Sequence, residues 1–151
     1  AQCDWSSDVC SSDLGSLPEA QFRRFSIEPT RTIVKALRAR FPDLPVIGFP
    51  RGAGALAIDY TRETGISGVS LDTGVSVGWA REALQPLACL QGNLDPLLLV
   101  AGGDEMRRAV GNILGTLEGG PFIFNLGHGI VPQTPPDHVA ELVETVRGWK
   151  G

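Results

Sequence analysis

Four times between residues 45 and 126 a short apolar run gives way to a turn of glycine and polar residues, then to apolar residues at helical spacing. Parallel strand–helix units accommodate that repetition, because each strand needs a crossover helix to return the chain to the same end of the sheet. The runs are Pro45–Phe49 (PVIGF), Gly68–Leu71 (GVSL), Leu87–Gln91 (LACLQ) and Pro121–Leu126 (PFIFNL). They read as strands apolar on both faces, as parallel strands covered by helices should be. The expected fold class is α/β.

The intervening helices follow from apolar spacing and from their stop signals. Phe22, Phe25, Ile33, Val34 and Leu37 keep a helical period between Pro18 and Arg40, with Pro29 expected to divide the segment. Leu56, Ala57 and Tyr60 share one helical face after Gly52 and Gly54, and Val77, Ala80 and Leu84 give a short helix stopped before Pro86. Gly92-Asn93-Leu94-Asp95-Pro96 reads as a turn. Met106, Val110, Ile113, Leu114 and Leu117 then form an amphipathic stripe that ends at Gly119-Gly120. The last helix is expected to open with Thr134 as N-cap and Pro135 as first residue, and to bury Val139, Leu142, Val143 and Val146.

Polar residues gather where the strands end: Arg51, Asp72, Asn93, Asp95, Asn125 and His128. In α/β folds the loops after the C-terminal strand ends bind ligands, which places the expected chemistry there.

The first fourteen residues do not share this organisation. Asp4–Leu14 (DWSSDVCSSDL) has no helical or strand period, and its Ser-Ser-Asp triplet occurs twice. The string resembles a translated sequencing-adapter oligonucleotide, so residues 1–14 are expected to be a non-native scar and residues 15–151 the domain proper. Without Asp4, Asp8 and Asp13 the net charge of −4 becomes about −1. Of the three cysteines, Cys3 and Cys10 fall in or beside the string, which leaves Cys89 as the expected native thiol, in keeping with a reducing cytoplasm. An acidic balance argues against nucleic acid or an anionic membrane surface as partner. No apolar run approaches the ~20 residues of a membrane helix, and no signal-peptide pattern opens the chain, so a cytoplasmic location is expected.

Gly52-Ala53-Gly54-Ala55-Leu56-Ala57 matches G-x-G-x-x-A, and Asp72 stands twenty residues beyond Gly52, the outline of a dinucleotide fingerprint. Pro50 and Arg51, however, intervene between strand and first glycine, where the fingerprint needs a tight turn. A nucleotide-binding α/β module is therefore kept as an alternative.

Four segments carry a more specific pattern: FPRGAG (Phe49–Gly54), LQGNLDP (Leu90–Pro96), FNLGHGI (Phe124–Ile130) and TPPDHV (Thr134–Val139). In order and spacing they resemble the C-terminal part of the uroporphyrinogen decarboxylases, and QFRRFSIEPTRTIVKALRARFPDLPVIGFPRG resembles the helix and strand that precede it. The resemblance covers about Gly15 to Gly151. It implies the C-terminal half of a (β/α)8 TIM barrel. It also implies an enzyme that decarboxylates the acetate side chains of uroporphyrinogen to give coproporphyrinogen in haem biosynthesis. No metal or organic cofactor is implied, because a protonated pyrrole serves as the electron sink. A homodimeric parent enzyme is implied as well.

Residue by residue, the resemblance carries over His128 of NLGHGI as a substrate-binding group. Flanking Gly127 and Gly129 would let backbone and imidazole approach the porphyrinogen. The alternative for His128 is a loop histidine satisfied by the protein itself. Arg51 could pair with a substrate carboxylate, or with Asp72 or Asp95 in a rim ion pair. Asn93 and Asp95 read as turn formers, and His138 as a solvated residue of the last helix. No catalytic residue and no metal ligand is assigned to this stretch. The family's N-terminal arginine loop, its ring-nitrogen carboxylate and an FDSW-like segment are expected earlier in the chain, with DWSSDVCSSDL standing in place of the last. The chain alone is therefore expected to be inactive and incompletely folded. Zinc-dependent methyltransferases of the same superfamily are a second alternative; they need Cys and His ligands, for which only Cys89 and His128 offer themselves.

Overall fold

The computed structural model describes residues 17–151. The N-terminal string lies outside the described residues. The elements run α1 (Glu19–Phe22), a π-helical segment (Arg23–Ile27), α2 (Glu28–Arg40), β1 (Ile47–Gly48), a 3-10 turn (Gly54–Leu56) and α3 (Ala57–Thr64). They continue with β2 (Gly68–Ser70), α4 (Val77–Ala83), β3 (Cys89–Leu94), α5 (Pro96–Ala101), α6 (Gly103–Leu117), β4 (Phe122–Leu126) and α7 (Pro136–Arg147).

All four expected strands form, and all pair in parallel in the order β1-β2-β3-β4. That order never reverses. A doubly wound nucleotide-binding sheet reverses its order at a switch point where the ligand enters, whereas a barrel advances one strand at a time.

Register assigns the two faces of the sheet. Gly48, Val69, Leu90 and Phe122 stand in one row, with Leu94 and Leu126 further along the same face. Val69, Leu90 and Leu94 are buried in one cluster with Tyr60, Ala80, Leu84, Met106, Val110 and Leu117 of the helices. The other face carries Ile47 and Cys89 in one row, Ser70, Gln91 and Ile123 in the next, and Asn93 beside Asn125. Here Ile47 and Ile123 are 43% and 44% exposed, and Gln91 Nε2 donates to Ser70 Oγ at 3.3 Å. The expectation of strands covered on both faces is thus corrected: only one face is packed under helices.

Residues 19–40 run as one helical rod, and Pro29 does not divide it. Pro29 sits at the second position of α2, directly after the π segment, where a missing N–H leaves the least unsatisfied. The π segment shifts the buried stripe. Phe22 and Ile27 are fully buried, whereas Phe25 and Ile33, both expected inside, are exposed.

Three further expectations change. Gly92-Asn93-Leu94 is not a turn but the end of β3, paired with Phe124-Asn125-Leu126 of β4. Asp95 then caps α5, a helix the sequence pattern had not suggested, with its Oδ1 accepting the Leu97 N–H at 2.8 Å. The N-cap of α7 is Pro135 rather than Thr134, and Val143 faces outward while Leu142 is buried.

Candidate active-site rim

The C-terminal ends of the four strands lie together, and each expected polar residue is placed there by its strand. Arg51 follows β1, Asp72 follows β2, Asn93 lies within β3, and His128 follows β4. Arg51 and His128 are exposed, and neither side chain has an ion-pair or hydrogen-bond partner among the described residues. Three inter-strand spacings separate the strands they follow, about 14 Å at ~4.8 Å per spacing.

The rim ion pairs considered for Arg51 do not form, because both acids are otherwise engaged. Asp72 Oδ2 accepts the Gly52 N–H and Oδ1 accepts the Gly74 N–H, each at 2.8 Å. Asp95 is occupied as the α5 cap. The same Asp72 contact removes the basis of the dinucleotide reading: the acid is bonded to the glycine turn itself, putting negative charge where a pyrophosphate would lie.

Asn93 is no turn former. It is 7% exposed, and its Nδ2 donates to the backbone carbonyls of Asp72 and Val75 at 2.9 and 2.8 Å. Gly127 N–H donates to the Leu94 carbonyl at 2.8 Å. A Cβ on Gly127 would stand 2.7 Å from Thr73 N and 3.0 Å from Asn93 O. Backbone packing of the β4 loop against the β2 loop by itself requires a glycine there. The sequence held the signal for Asp72 and Asn93, an Asx residue at the end of each central strand, but not their partners.

His138 also departs from expectation. Its ring is half-buried, with Nδ1 3.1 Å from the Leu99 carbonyl and 3.0 Å from that of Val100, at the C-terminal end of α5. It holds the α5–α6 corner against α7 rather than facing solvent.

Cys89 opens β3 and is level with Pro121, five residues before the end of β4, whereas His128 lies beyond that end. At ~3.3 Å per residue they are more than about 16 Å apart, too far to share a zinc ion. Burial pushes the Cys89 thiol upward from its ordinary pKa. A shallow cleft of about 320 Å³ lies nearby, lined by Thr73, Ser76, Asn93, Asp95, Leu98 and Ile113 among others. Neither Arg51 nor His128 lines it.

A sequentially ordered parallel sheet with helices over one face defines an α/β-barrel protein, and Arg51 and His128, exposed and without side-chain partners among the described residues, lie in the loops after its strand ends. The family model of uroporphyrinogen decarboxylase (URO-D) matches residues 1–149. The chain is 58% identical over 133 residues to the uroporphyrinogen decarboxylase of Rhodospirillum rubrum and 55% identical to that of Gluconacetobacter diazotrophicus. In each case the match covers 88% of this chain and 38% of the relative. Among solved structures a methyltransferase from Methanosarcina mazei superposes with a TM-score of 0.68 at 21% identity, over 87% of this chain and 38% of that one. That likeness concerns the fold. The chain belongs to the uroporphyrinogen decarboxylase family, and spans under two fifths of the length of the relatives quoted.

Proposed function

We propose that this stretch is the C-terminal part of an enzyme that decarboxylates the four acetate side chains of uroporphyrinogen to give coproporphyrinogen in porphyrin biosynthesis. The observation that carries the proposal is the pair Arg51 and His128, both exposed and without a side-chain partner among the described residues, in the loops that follow β1 and β4, strands three inter-strand spacings apart in the sheet. A porphyrinogen is a wide macrocycle with carboxylates around its edge, which suits two separated donors.

In the proposed reaction a ring pyrrole is protonated, the acetate C–C bond breaks to release CO2, and its electron pair flows into the ring. Reprotonation of the exocyclic carbon gives a methyl group, and the ring proton is lost. The substrate provides the electron sink, and the protein provides position and protons. Arg51 pairs with a substrate carboxylate through its planar fork. His128 hydrogen-bonds another. The groups meeting the ring nitrogens belong to parts of the parent enzyme outside this chain. Residues 1–14 as a segment foreign to the domain, a homodimeric parent enzyme, a cytoplasmic location and inactivity of the chain alone belong to the same proposal. Among the described residues no helix is long and apolar enough to cross a membrane.

The test is a chimera in which residues 17–151 replace the corresponding stretch of the Rhodospirillum rubrum relative. Formation of coproporphyrinogen, reduced about tenfold or more by Arg51→Ala and by His128→Gln, is the expected result, each variant losing a charged or polar substrate contact. A folded chimera that leaves uroporphyrinogen unchanged overturns the proposal.

A further inference from the structure

Arg51 and His128 lie in the loops that follow opposite edge strands, β1 and β4, so something must fix their distance across the two strands between them. The hydrogen bonds of the rim form one continuous path. From Arg51 the next residue, Gly52, donates to Asp72 Oδ2. The other oxygen of Asp72 holds Gly74, and its backbone carbonyl accepts from Asn93 Nδ2. Asn93 also ties down the Val75 carbonyl, closing the β2 loop onto β3. Gly127, the neighbour of His128, donates to Leu94 and packs on Thr73 and Asn93.

A carboxylate in the middle of a site for a polyanion is electrostatically unfavourable. Both oxygens of Asp72 are nevertheless directed at backbone N–H groups of two different loops. We propose that Asp72, together with Asn93, is a positioning residue: it clasps the β1 loop to the β2 loop and so sets where Arg51 stands relative to His128. This rests on Arg51 and His128 being the contacts of a polycarboxylate porphyrinogen. Asp72 itself touches no ligand.

Charge and position predict opposite signs, which makes the role testable. Asp72→Asn removes a negative charge, which on its own tightens a polyanion. It also points an NH2 group at one of the two N–H donors, which frees a loop and weakens the Arg51 contact. The probe is uroporphyrin I, a stable octacarboxylate, titrated by fluorescence into the chimera that carries residues 17–151 and into its D72N, R51A and D72N/R51A variants. Temperature is held well below each variant's melting point.

Wild-type binding that weakens about tenfold in R51A and severalfold in D72N is expected, with the double variant no weaker than R51A. Non-additivity of that kind is not produced by a purely structural role. Losses that add, or a D72N chain that binds as tightly as wild type or more tightly, overturn the positioning role while leaving the porphyrinogen site standing. A folded wild-type chimera that does not bind uroporphyrin overturns the site and this role together. Amide exchange provides a ligand-free arm: Gly52 and Gly74 are protected in wild type and lose protection in D72N and in D72S, and free exchange of both in wild type overturns the clasp. D72S, which keeps one acceptor, serves the titration if D72N does not fold.

Discussion

Phe22 and Ile27 stand five residues apart and are both fully buried, while Phe25 between them is 59% exposed. That is the i, i+5 spacing of a π-helical turn, and it brings the rod of residues 19–40 onto the core with Ile27 and Val34 in front. Ile27→Ala is therefore expected to cost about 2–5 kcal/mol, the range for truncating a buried Ile. Phe25→Ala removes a largely exposed ring and its contact with the Arg24 guanidinium, 5.2 Å from the ring centroid, and should cost less than about 1 kcal/mol. Urea denaturation of both variants checks the contrast; equal losses would contradict the π register.

Gly127→Ala puts a methyl group into the backbone of Thr73 and Asn93, where nothing flexible can give way. A stability loss of about 1–3 kcal/mol is expected, as for overpacking elsewhere in tight interiors. Chemical shifts should move at Thr73 and at the His128 ring. A variant with wild-type stability and unchanged His128 resonances would show that the β4 loop is not seated as described.

Acid should weaken the contact between the N-terminal rod and α3. The Arg23 guanidinium bonds Glu63 at 2.6 Å and also reaches Glu19 and Asp59, while Arg31 bonds Glu63 at 2.9 Å. Hydrogen bonding from Arg23 first, and its charge and that of Arg31 besides, hold the Glu63 carboxyl below its ordinary 4.5. A carboxyl depressed in the folded state contributes stability that is present above the unfolded pKa and lost as pH falls through the folded one. The melting temperature should accordingly drop below about pH 4.5, and Glu63→Gln should flatten that part of the profile. Added salt should shrink the difference, since the pairs are solvent-exposed. An unchanged acid limb in E63Q would refute the assignment.

Cys89 should be a slow thiol. Burial raises its pKa, so little thiolate is present at neutral pH. Alkylation by iodoacetamide at pH 7.5, followed by peptide mass spectrometry, should modify Cys89 more slowly than an unstructured cysteine peptide. Faster labelling of Cys89 would place it in a more open environment.

Strand positions and the residues that end them could be read from the sequence because apolar runs and the polar positions after them are local signals. The π segment could not, since Phe22, Phe25 and Val34 fit an ordinary helical period equally well and only packing selects Ile27 over Phe25. The last half of β3 was hidden by its composition: Gly92, Asn93 and Asp95 before Pro96 carry turn propensity, and pairing with β4 overrides it. His138 looked solvated because its partners lie 38 and 39 residues away on α5. Arg51 and His128, expected at the strand ends, do lie there, exposed and without side-chain partners among the described residues. The acids that could have paired with Arg51 were assigned wrongly, because backbone N–H groups, invisible to a pattern of side chains, claimed them.

The unreversed strand order has a consequence for how the chain assembles. Every neighbour in the sheet is also the next strand in the chain: Ile47 meets Gly68 twenty-one residues on, Gly68 meets Cys89 after another twenty-one, and Leu90 meets Phe122 after thirty-two. No pairing closes a longer loop than the one unit it spans, so the entropy of bringing partners together is met in small, similar instalments. Each completed unit leaves its last strand as the open edge on which the next strand pairs. The sheet can grow strand by strand in the order in which a ribosome releases it.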